Sequence, residues 1–256
     1  MYEWQVRELI CEIGRRTWQR GFVSANDGNF SYRLSKNVVI ATPTLISKGF
    51  MKPDDLVKID MEGNQLEGKL EVTSEIKMHL AIYKERSDFK AVVHVHPPHA
   101  TAYAITGEPL PMCILPEVEI FIGPIPIAEY GTPGTVELPE MIRPFLRNHS
   151  ALILSNHGVV TADEDILNAY HKMEMINQYC KILILAKQIG NYKQLTPEQM
   201  RRLYAIKEGV ELESSKAPCD TCKACPGLGA IRTSMIPSID KDLIEKITKE
   251  VLNKLK

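Results

Sequence analysis

The sequence has no long apolar run and no marked excess of charge of either sign. No hydrophobic segment approaches the roughly 20 residues that span a membrane as a helix. The 31 Lys and Arg residues nearly balance the 32 Asp and Glu residues, so the formal net charge is −1. Because no basic stripe is present, nucleic acid is not expected as a partner. The first residues follow an amphipathic helical pattern rather than that of a signal peptide. We expect a cytoplasmic protein that does not bind membranes.

Cysteines are few and unevenly placed, which argues against a disulfide framework. Three of the six are isolated in apolar segments, and the other three lie together near the C-terminus: Cys219, Cys222 and Cys225. Their C-x2-C-x2-C-P pattern is similar to part of an iron–sulfur run, but a fourth ligand is missing nearby. We interpret them as reduced thiols, with adventitious metal binding as the alternative.

The pattern of apolar residues indicates an α/β domain followed by two smaller segments. Residues 1–212 alternate between helical and strand periodicity and contain enough apolar residues for a full core. Residues 213–237 are rich in Ser, Pro, Gly and Cys and have no periodicity, which is typical of a linker. Residues 238–256 have apolar positions at spacings of three and four, which predicts an amphipathic helix. Inside the domain, we expect Ser74 to cap a helix and "VEIFIG" to form a short strand.

Histidines are concentrated in the segment "AVVHVHPPHATAYAITG", at residues 91–107. In a strand, residues two apart point to the same face, so His94 and His96 can reach one ion. Catalytic zinc usually takes three protein ligands and keeps one open position. His157 follows a second apolar strand, "ALILSN", and can supply the third. The alternative is a pair of core histidines bonded to backbone groups. His99 lies beyond the two prolines, and we expect a supporting or structural role for it.

Glu75 is the candidate proton acceptor. It follows Thr73 and Ser74 at the start of a predicted helix, where hydroxyls and free backbone N–H groups form an anion site. A phosphate bound there would lie beside a carboxylate. The alternative is a glutamate that only stabilises the helix start. The turns "NDGNFS" and "TPT" are also rich in hydrogen-bond donors, and Gly28 allows close approach of the backbone to a ligand. Ordinary hairpin chemistry explains these two turns equally well.

Six motifs in a fixed order carry a resemblance to a known family. They are "DGNFS" (27–31), "TPT" (42–44), "TSE" (73–75), "HVHPPHA" (94–100), "YGTPGT" (130–135) and "SNHG" (155–158). This ordered set spans about residues 1–210 and resembles the class II aldolase/adducin family, in particular its zinc-dependent L-fuculose-1-phosphate aldolases.

The resemblance implies a fold, a reaction and a role for each matching residue. The fold is a three-layer α/β/α arrangement around a mainly antiparallel sheet. One Zn²⁺ per subunit is bound by His94, His96 and His157, and Glu75 is the catalytic acid/base. The substrate phosphate is held by Asn29, Thr44, Thr73, Ser74 and the backbone of Gly28. The reaction is cleavage of a ketose 1-phosphate into dihydroxyacetone phosphate and an aldehyde such as lactaldehyde. Aldolases of this family are typically C4 tetramers with active sites between subunits.

Two positions depart from the aldolase pattern. Leu45 stands after "TPT", where the family has Gly. The segment "MCILPEVE" has no tyrosine, whereas the aldolases use a tyrosine from the neighbouring subunit there as proton donor. Glu117, another tyrosine or water would take over that donation.

The sequence leaves open both other enzymatic functions and a non-catalytic function. Sugar-phosphate 4-epimerases of the same family tend to carry Asp at the position of Glu75, and the family also contains methylthioribulose-phosphate dehydratases and aldolases. Adducin-like members are interaction modules without the metal site. The terminal helix, 238–256, resembles peptides that target enzymes to the lumen of bacterial microcompartments by binding shell protein. Docking on the protein's own oligomer is the alternative.

Overall fold

The computed structural model describes residues 1–208 of the chain. The predicted linker at 213–237, with its three clustered cysteines, and the predicted helix at 238–256 lie outside the described residues. None of the helices found between residues 1 and 208 has the length and apolar character needed to cross a membrane.

The described part of the chain contains seven α-helices and eight β-strands. The helices are α1 (Glu3–Gln19), α2 (Ile76–Glu85), α3 (Pro98–Thr106), α4 (Pro116–Phe121), α5 (Glu137–Leu146), α6 (Ile166–Ile189) and α7 (Pro197–Glu208). The strands are β1 (Asn29–Ser35), β2 (Val38–Ala41), β3 (Val57–Asp60), β4 (Gln65–Glu67), β5 (Ala91–Val95), β6 (Ile127–Ala128), β7 (Ala151–Leu154) and β8 (Gly158–Asp163). Residues Met1–Thr196 form one compact unit, and α7 belongs to a second.

All eight strands join one sheet, in the order β4-β3-β2-β1-β5-β8-β7-β6. Every neighbouring pair is antiparallel except β6 and β7, which are parallel. Helices cover both faces: α1, α3, α4 and α6 contribute to one apolar core, and α2 and α5 to the other. The prediction of a three-layer fold with a mainly antiparallel sheet is confirmed.

Strand β5 lies near the middle of the sheet and shows how side chains are assigned to the two faces. All five of its residues are buried. Val93 and Val95 belong to the core beneath α1 and α6, whereas Val92 belongs to the core beneath α2 and α5. Since side chains alternate along a strand, His94 points toward the α2 side. The prediction that His94 faces away from Val93 and Val95 is confirmed.

Two local predictions are wrong. Residues 116–121, which overlap "VEIFIG", form helix α4 rather than a strand, because Pro116 stands at the first helical position and Glu117 and Glu119 follow in the first turn. The cap of α2 is Glu75 rather than Ser74, and it makes no side-chain capping hydrogen bond. Its carboxylate is therefore left for other contacts.

Candidate active site

Three histidines from two separate stretches of backbone lie together at one end of the sheet. His94 is in β5, His96 follows the end of that strand, and His157 is in the turn between β7 and β8. Their candidate ligand nitrogens all lie within 4.8 Å of one another, and the ring centroids are 4.7 to 5.1 Å apart. These three side chains could hold one metal ion. Among the described residues, His99 is not part of this cluster.

Sheet pairing explains why the turn at residue 157 reaches the end of β5. Val95 in β5 pairs with Val159 in β8, so the residues that precede β8 lie beside those that follow β5. Asn156 adopts a φ of 54°, and the His157 N–H donates to the Leu154 carbonyl at 3.0 Å, which closes a tight turn. The His157 ring is thereby directed toward His94 and His96.

The hydrogen bond of His94 defines which of its nitrogens is free. His94 is fully buried, and its Nδ1 lies 2.9 Å from the Val159 carbonyl oxygen, which can only accept. Nδ1 therefore carries the proton, and Nε2 keeps a lone pair on the side of the other histidines. Metal-binding histidines are commonly oriented by such a bond from the second nitrogen. His96 is less enclosed, with Nδ1 at 3.8 Å from the Asp27 carboxylate.

In the described part of the chain, the Glu75 carboxylate lies beside His94 and His157 without a positive charge next to it. Burial is the main cause that holds the pKa of His94 well below its usual value, and burial also lowers the pKa of His157 to about 3. Both rings are thus neutral near pH 7. One oxygen of Glu75, Oε2, lies 3.5 Å from Nε2 of each ring, yet it has no hydrogen-bond partner among the described residues. An unpaired charge is costly to bury. A cation bound by the neutral imidazoles would compensate the negative charge of the neighbouring carboxylate.

The other oxygen of Glu75 is fixed. Asn29 donates from Nδ2 to Oε1 at 3.0 Å, and the Glu75 backbone N–H donates to Thr73 Oγ1 at 3.4 Å. Asn29 is only 3% exposed, so its amide cannot turn freely toward solvent. Glu75 therefore has one anchored oxygen and one that faces the histidine cluster.

The residues predicted to hold a phosphate come from three neighbouring segments. An isolated bridge pairs Pro43 with Val72, and the Thr73 N–H donates to the Thr42 carbonyl at 3.1 Å. Thr42 also joins the first segment, since its Oγ1 accepts from the Phe30 N–H at 3.1 Å. The structure thus gathers the turns that contain Gly28, Asn29, Thr44, Thr73 and Ser74. Their role in binding phosphate stays a prediction.

Gly28 and Leu45 both have a positive φ, which suits glycine but not leucine. Gly28 has a φ of 73°, and a Cβ there would lie 2.7 Å from Val23 Cγ1, so both the conformation and the space require glycine. Leu45 has a φ of 57° and a side chain that is 78% exposed. The left-handed conformation explains why glycine suits this position in the family pattern.

Two buried residues near the site were not found from the sequence. His79 in α2 is fully buried and hydrogen-bonds Asn29, and Lys48 is 1% exposed and donates from Nζ to two backbone carbonyl oxygens. A signal for His79 existed, because it follows Glu75 by four residues and so lies on the same face of the helix. Lys48 offered no such signal, since a lysine between turn residues normally faces water.

The family model of the Class II Aldolase and Adducin N-terminal domain matches residues 8–184. The chain belongs to this family. An L-fuculose phosphate aldolase from Methanococcus maripaludis is 35% identical over 181 residues, which cover 71% of this chain and 95% of the relative. A 3-oxo-tetronate 4-phosphate decarboxylase from Haemophilus influenzae is 31% identical over 77% of this chain and 95% of its own length. A 5-deoxy-D-ribulose 1-phosphate aldolase from Bacillus thuringiensis is also 31% identical, over 79% and 95%.

Solved structures show the same fold. An L-fuculose 1-phosphate aldolase aligns with a TM-score of 0.72 and 31% identity, over 78% of this chain and 94% of that one. YgbL from Escherichia coli aligns with a TM-score of 0.74 and 27% identity, over 79% and 99%. The chain is accordingly a lyase of the class II aldolase type.

Proposed function

We propose that this family member cleaves a ketose 1-phosphate, of the type of L-fuculose 1-phosphate, into dihydroxyacetone phosphate and an aldehyde such as lactaldehyde. The observation that carries the proposal is the position of Glu75 Oε2, which is buried without a partner among the described residues and lies 3.5 Å from both His94 and His157. A carboxylate beside a candidate metal site is what a metal-assisted proton transfer needs.

His94, His96 and His157 would bind one divalent cation, which we propose to be Zn²⁺. The donor set fits, because neutral imidazoles are common zinc ligands and three protein ligands leave a position open for substrate. Such an ion supplies Lewis-acid stabilisation of negative charge on oxygen. The buried, neutral state of His94 and His157 favours metal over protons at these nitrogens.

In the proposed reaction, Glu75 carries the proton. The C4 hydroxyl of the ketose loses its proton, the C3–C4 bond breaks, and the electron pair of that bond stays with the fragment that contains C3. A proton then returns to C3, which gives dihydroxyacetone phosphate, and C4 leaves as the carbon of the aldehyde. Asn29 holds Oε1 of Glu75, so the proton is exchanged at Oε2, the oxygen on the histidine side.

The substrate phosphate is proposed to lie on the turns of Gly28, Asn29, Thr44, Thr73 and Ser74. These turns supply hydroxyl and N–H donors near the start of α2, whose positive dipole end favours an anion. Lys48, buried beneath two of these turns, adds positive charge there. The phosphate turns would then hold one end of the substrate, and the histidine cluster would hold the end with the reacting carbons.

The decisive experiment measures dihydroxyacetone phosphate release from a panel of ketose 1-phosphates, including L-fuculose, L-rhamnulose and 5-deoxy-D-ribulose 1-phosphates. Wild-type protein should act on at least one of them, and a chelator should abolish this activity until Zn²⁺ is restored. Glu75→Gln should keep the metal and lose cleavage, whereas Glu75→Asp serves as the shorter carboxylate control. Normal turnover by Glu75→Gln would show that the role given to Glu75 is wrong.

A decarboxylase is the second candidate, favoured by the similarity to the 3-oxo-tetronate 4-phosphate decarboxylase from Haemophilus influenzae. Loss of carbon dioxide from that substrate also yields dihydroxyacetone phosphate, so detection of this product alone does not separate the two reactions. Measurement of the second product does: an aldehyde for the aldolase, and carbon dioxide for the decarboxylase.

We further propose that the enzyme is a homotetramer. Support comes from apolar side chains left at the surface near the proposed phosphate turns: Leu45 is 78% exposed and Phe50 is 67% exposed. The Phe50 ring also contacts Trp18, with centroids 5.0 Å apart. Clustered exposed aromatics mark protein interfaces more often than free surface. A molar mass in solution four times that of the chain would agree with this assembly, and a monomer would contradict it.

A further inference from the structure

A chain of buried hydrogen bonds leads from the core to Glu75. Tyr83 Oη lies 2.8 Å from Ser31 Oγ, and Ser31 Oγ lies 2.7 Å from His79 Nδ1. His79 Nε2 lies 2.6 Å from Asn29 Oδ1, and Asn29 Nδ2 lies 3.0 Å from Glu75 Oε1. Asn29, Ser31, His79 and Tyr83 are all buried.

The direction of each bond follows from Glu75. An ionised carboxylate only accepts, so Asn29 must present its NH₂ group to Oε1 and its carbonyl oxygen to His79. His79 must then donate from Nε2. Burial lowers the pKa of His79 to about 3, so the ring is neutral and has one proton. With that proton on Nε2, Nδ1 accepts from Ser31, and Ser31 accepts from Tyr83.

We infer that His79 is a positioning residue for the proposed reaction: its Nε2–H holds the Asn29 amide so that the NH₂ group anchors Glu75 Oε1. The inference rests on the proposed function for its catalytic consequence, and on hydrogen-bond geometry alone for the arrangement itself. His79 reaches Glu75 through Asn29 rather than directly, and it is not one of the three predicted ligands. In this arrangement Ser31 donates to Nδ1 of His79 and accepts from Tyr83. The contact of Tyr83 with the Lys90 carbonyl oxygen is longer, at 3.3 Å.

The position of Glu75 depends on this arrangement because, within residues 1–208, Asn29 is the side-chain donor to Oε1. If the Asn29 amide turned by 180°, its carbonyl oxygen would face the carboxylate, and two acceptors would oppose each other. Glu75 would then leave the position in which Oε2 faces His94 and His157. Loss of an orienting partner of this kind typically lowers activity or metal affinity about 10- to 100-fold.

Two substitutions of His79 distinguish the effect of its N–H donor from the effect of its side-chain volume. His79→Gln keeps an N–H donor near the position of Nε2, whereas His79→Met fills similar space and has none. We expect both variants to bind zinc in full, kcat to fall about 10- to 100-fold for His79→Met, and most of that loss to be restored in His79→Gln. KM should change less than kcat. Met78→Leu, a volume-conserving change beside His79 in α2, controls for disturbance of the core.

Neutron diffraction of the zinc-loaded wild-type enzyme tests the arrangement without any variant. The expected result is a deuteron on Nε2 of His79, none on Nδ1, and the Asn29 amide nitrogen toward Glu75. A deuteron on Nδ1 alone, or an Asn29 amide turned the other way, overturns the inference. So does a folded His79→Met enzyme with wild-type kcat. If wild-type protein cleaves no ketose phosphate, the proposed function fails, while the neutron result still decides the orientation of Asn29 by His79.

Discussion

Gly158 and His96 are packed so closely that a Cβ atom on Gly158 would lie 2.5 Å from His96 Cδ2. The same atom would lie 2.7 Å from the Val95 carbonyl oxygen and 3.4 Å from His94 Cε1. Real Cβ atoms essentially never come within 3.0 Å of other atoms, which rules out the first two contacts, whereas 3.4 Å is an ordinary contact. The absence of a side chain at Gly158 therefore leaves the space that the His96 ring occupies beside His94.

Replacement of Gly158 by alanine should damage the metal site. The methyl group must push the His96 ring or the end of β5 outward, so the three imidazoles lose their common geometry. We expect metal affinity to fall at least about tenfold, measured as zinc retained after dialysis against a graded series of chelator concentrations. Gly190→Ala is the matched control, because a Cβ at Gly190 meets nothing within 4 Å. Equal zinc retention by both variants would contradict the steric explanation.

The sequence predicted the histidine cluster because each part has a short-range signal. The two-residue spacing of His94 and His96 places them on one strand face, and His157 follows a recognisable strand. The pairing of β5 with β8, which joins them, depends on the whole sheet. The hydrogen bond from His79 to Asn29 was missed for this reason: it links residues 50 positions apart. The segment at α4 was misjudged because its apolar and β-branched residues suit a strand, and the Pro116 helix start decided otherwise.

Replacement of Leu45 by glycine, the residue that the family pattern has there, should stabilise the protein. The φ of 57° at Leu45 costs a non-glycine residue about 1 to 2 kcal/mol, and the leucine side chain, exposed in the single chain, loses little packing within its own subunit when removed. Leu45→Gly should therefore raise the free energy of unfolding by up to about 1 kcal/mol, because the greater backbone entropy of glycine in the unfolded chain offsets part of the relieved strain. Urea denaturation measures this change. Leu66→Gly, at an exposed position in strand β4, should instead lower it by about 0.5 to 1 kcal/mol. A destabilised Leu45→Gly would mean that the leucine side chain has a contact that outweighs its backbone strain.

The terminal segment should direct the enzyme to a shell if the targeting hypothesis is right. Residues 238–256 fused to a fluorescent protein should form foci in cells that produce microcompartment shells. A fusion with Leu243→Glu and Ile247→Glu should be diffuse, because both changes interrupt the apolar stripe predicted from the sequence. Diffuse fluorescence from the unchanged segment would favour docking on the enzyme's own oligomer, which removal of residues 238–256 would then weaken.

Lys48 connects two of the proposed phosphate turns. Its Nζ donates to the Asn26 carbonyl oxygen at 2.9 Å and to the Ile46 carbonyl oxygen at 2.6 Å. Burial lowers its pKa from 10.5 to about 8, and the carboxylates of Asp27 and Glu75 partly oppose that shift. A neutral amine still has two N–H donors, so both hydrogen bonds survive deprotonation.

The stability of the enzyme should therefore depend on the proton of Lys48 in alkaline solution. Below about pH 8 both the folded and unfolded states hold this proton, and the cost of burying the ammonium is fully present. Between about pH 8 and 10.5 the folded state has lost a proton that the unfolded state keeps, so stability rises with pH. Relative to Lys48→Met, the wild type should gain up to about 3 kcal/mol across this range, measured by urea unfolding. Lys36→Met, at an exposed position, is the control for general alkaline effects. A constant difference between wild type and Lys48→Met would show that the pKa of Lys48 is the same in the folded and unfolded states, which would contradict the expected shift.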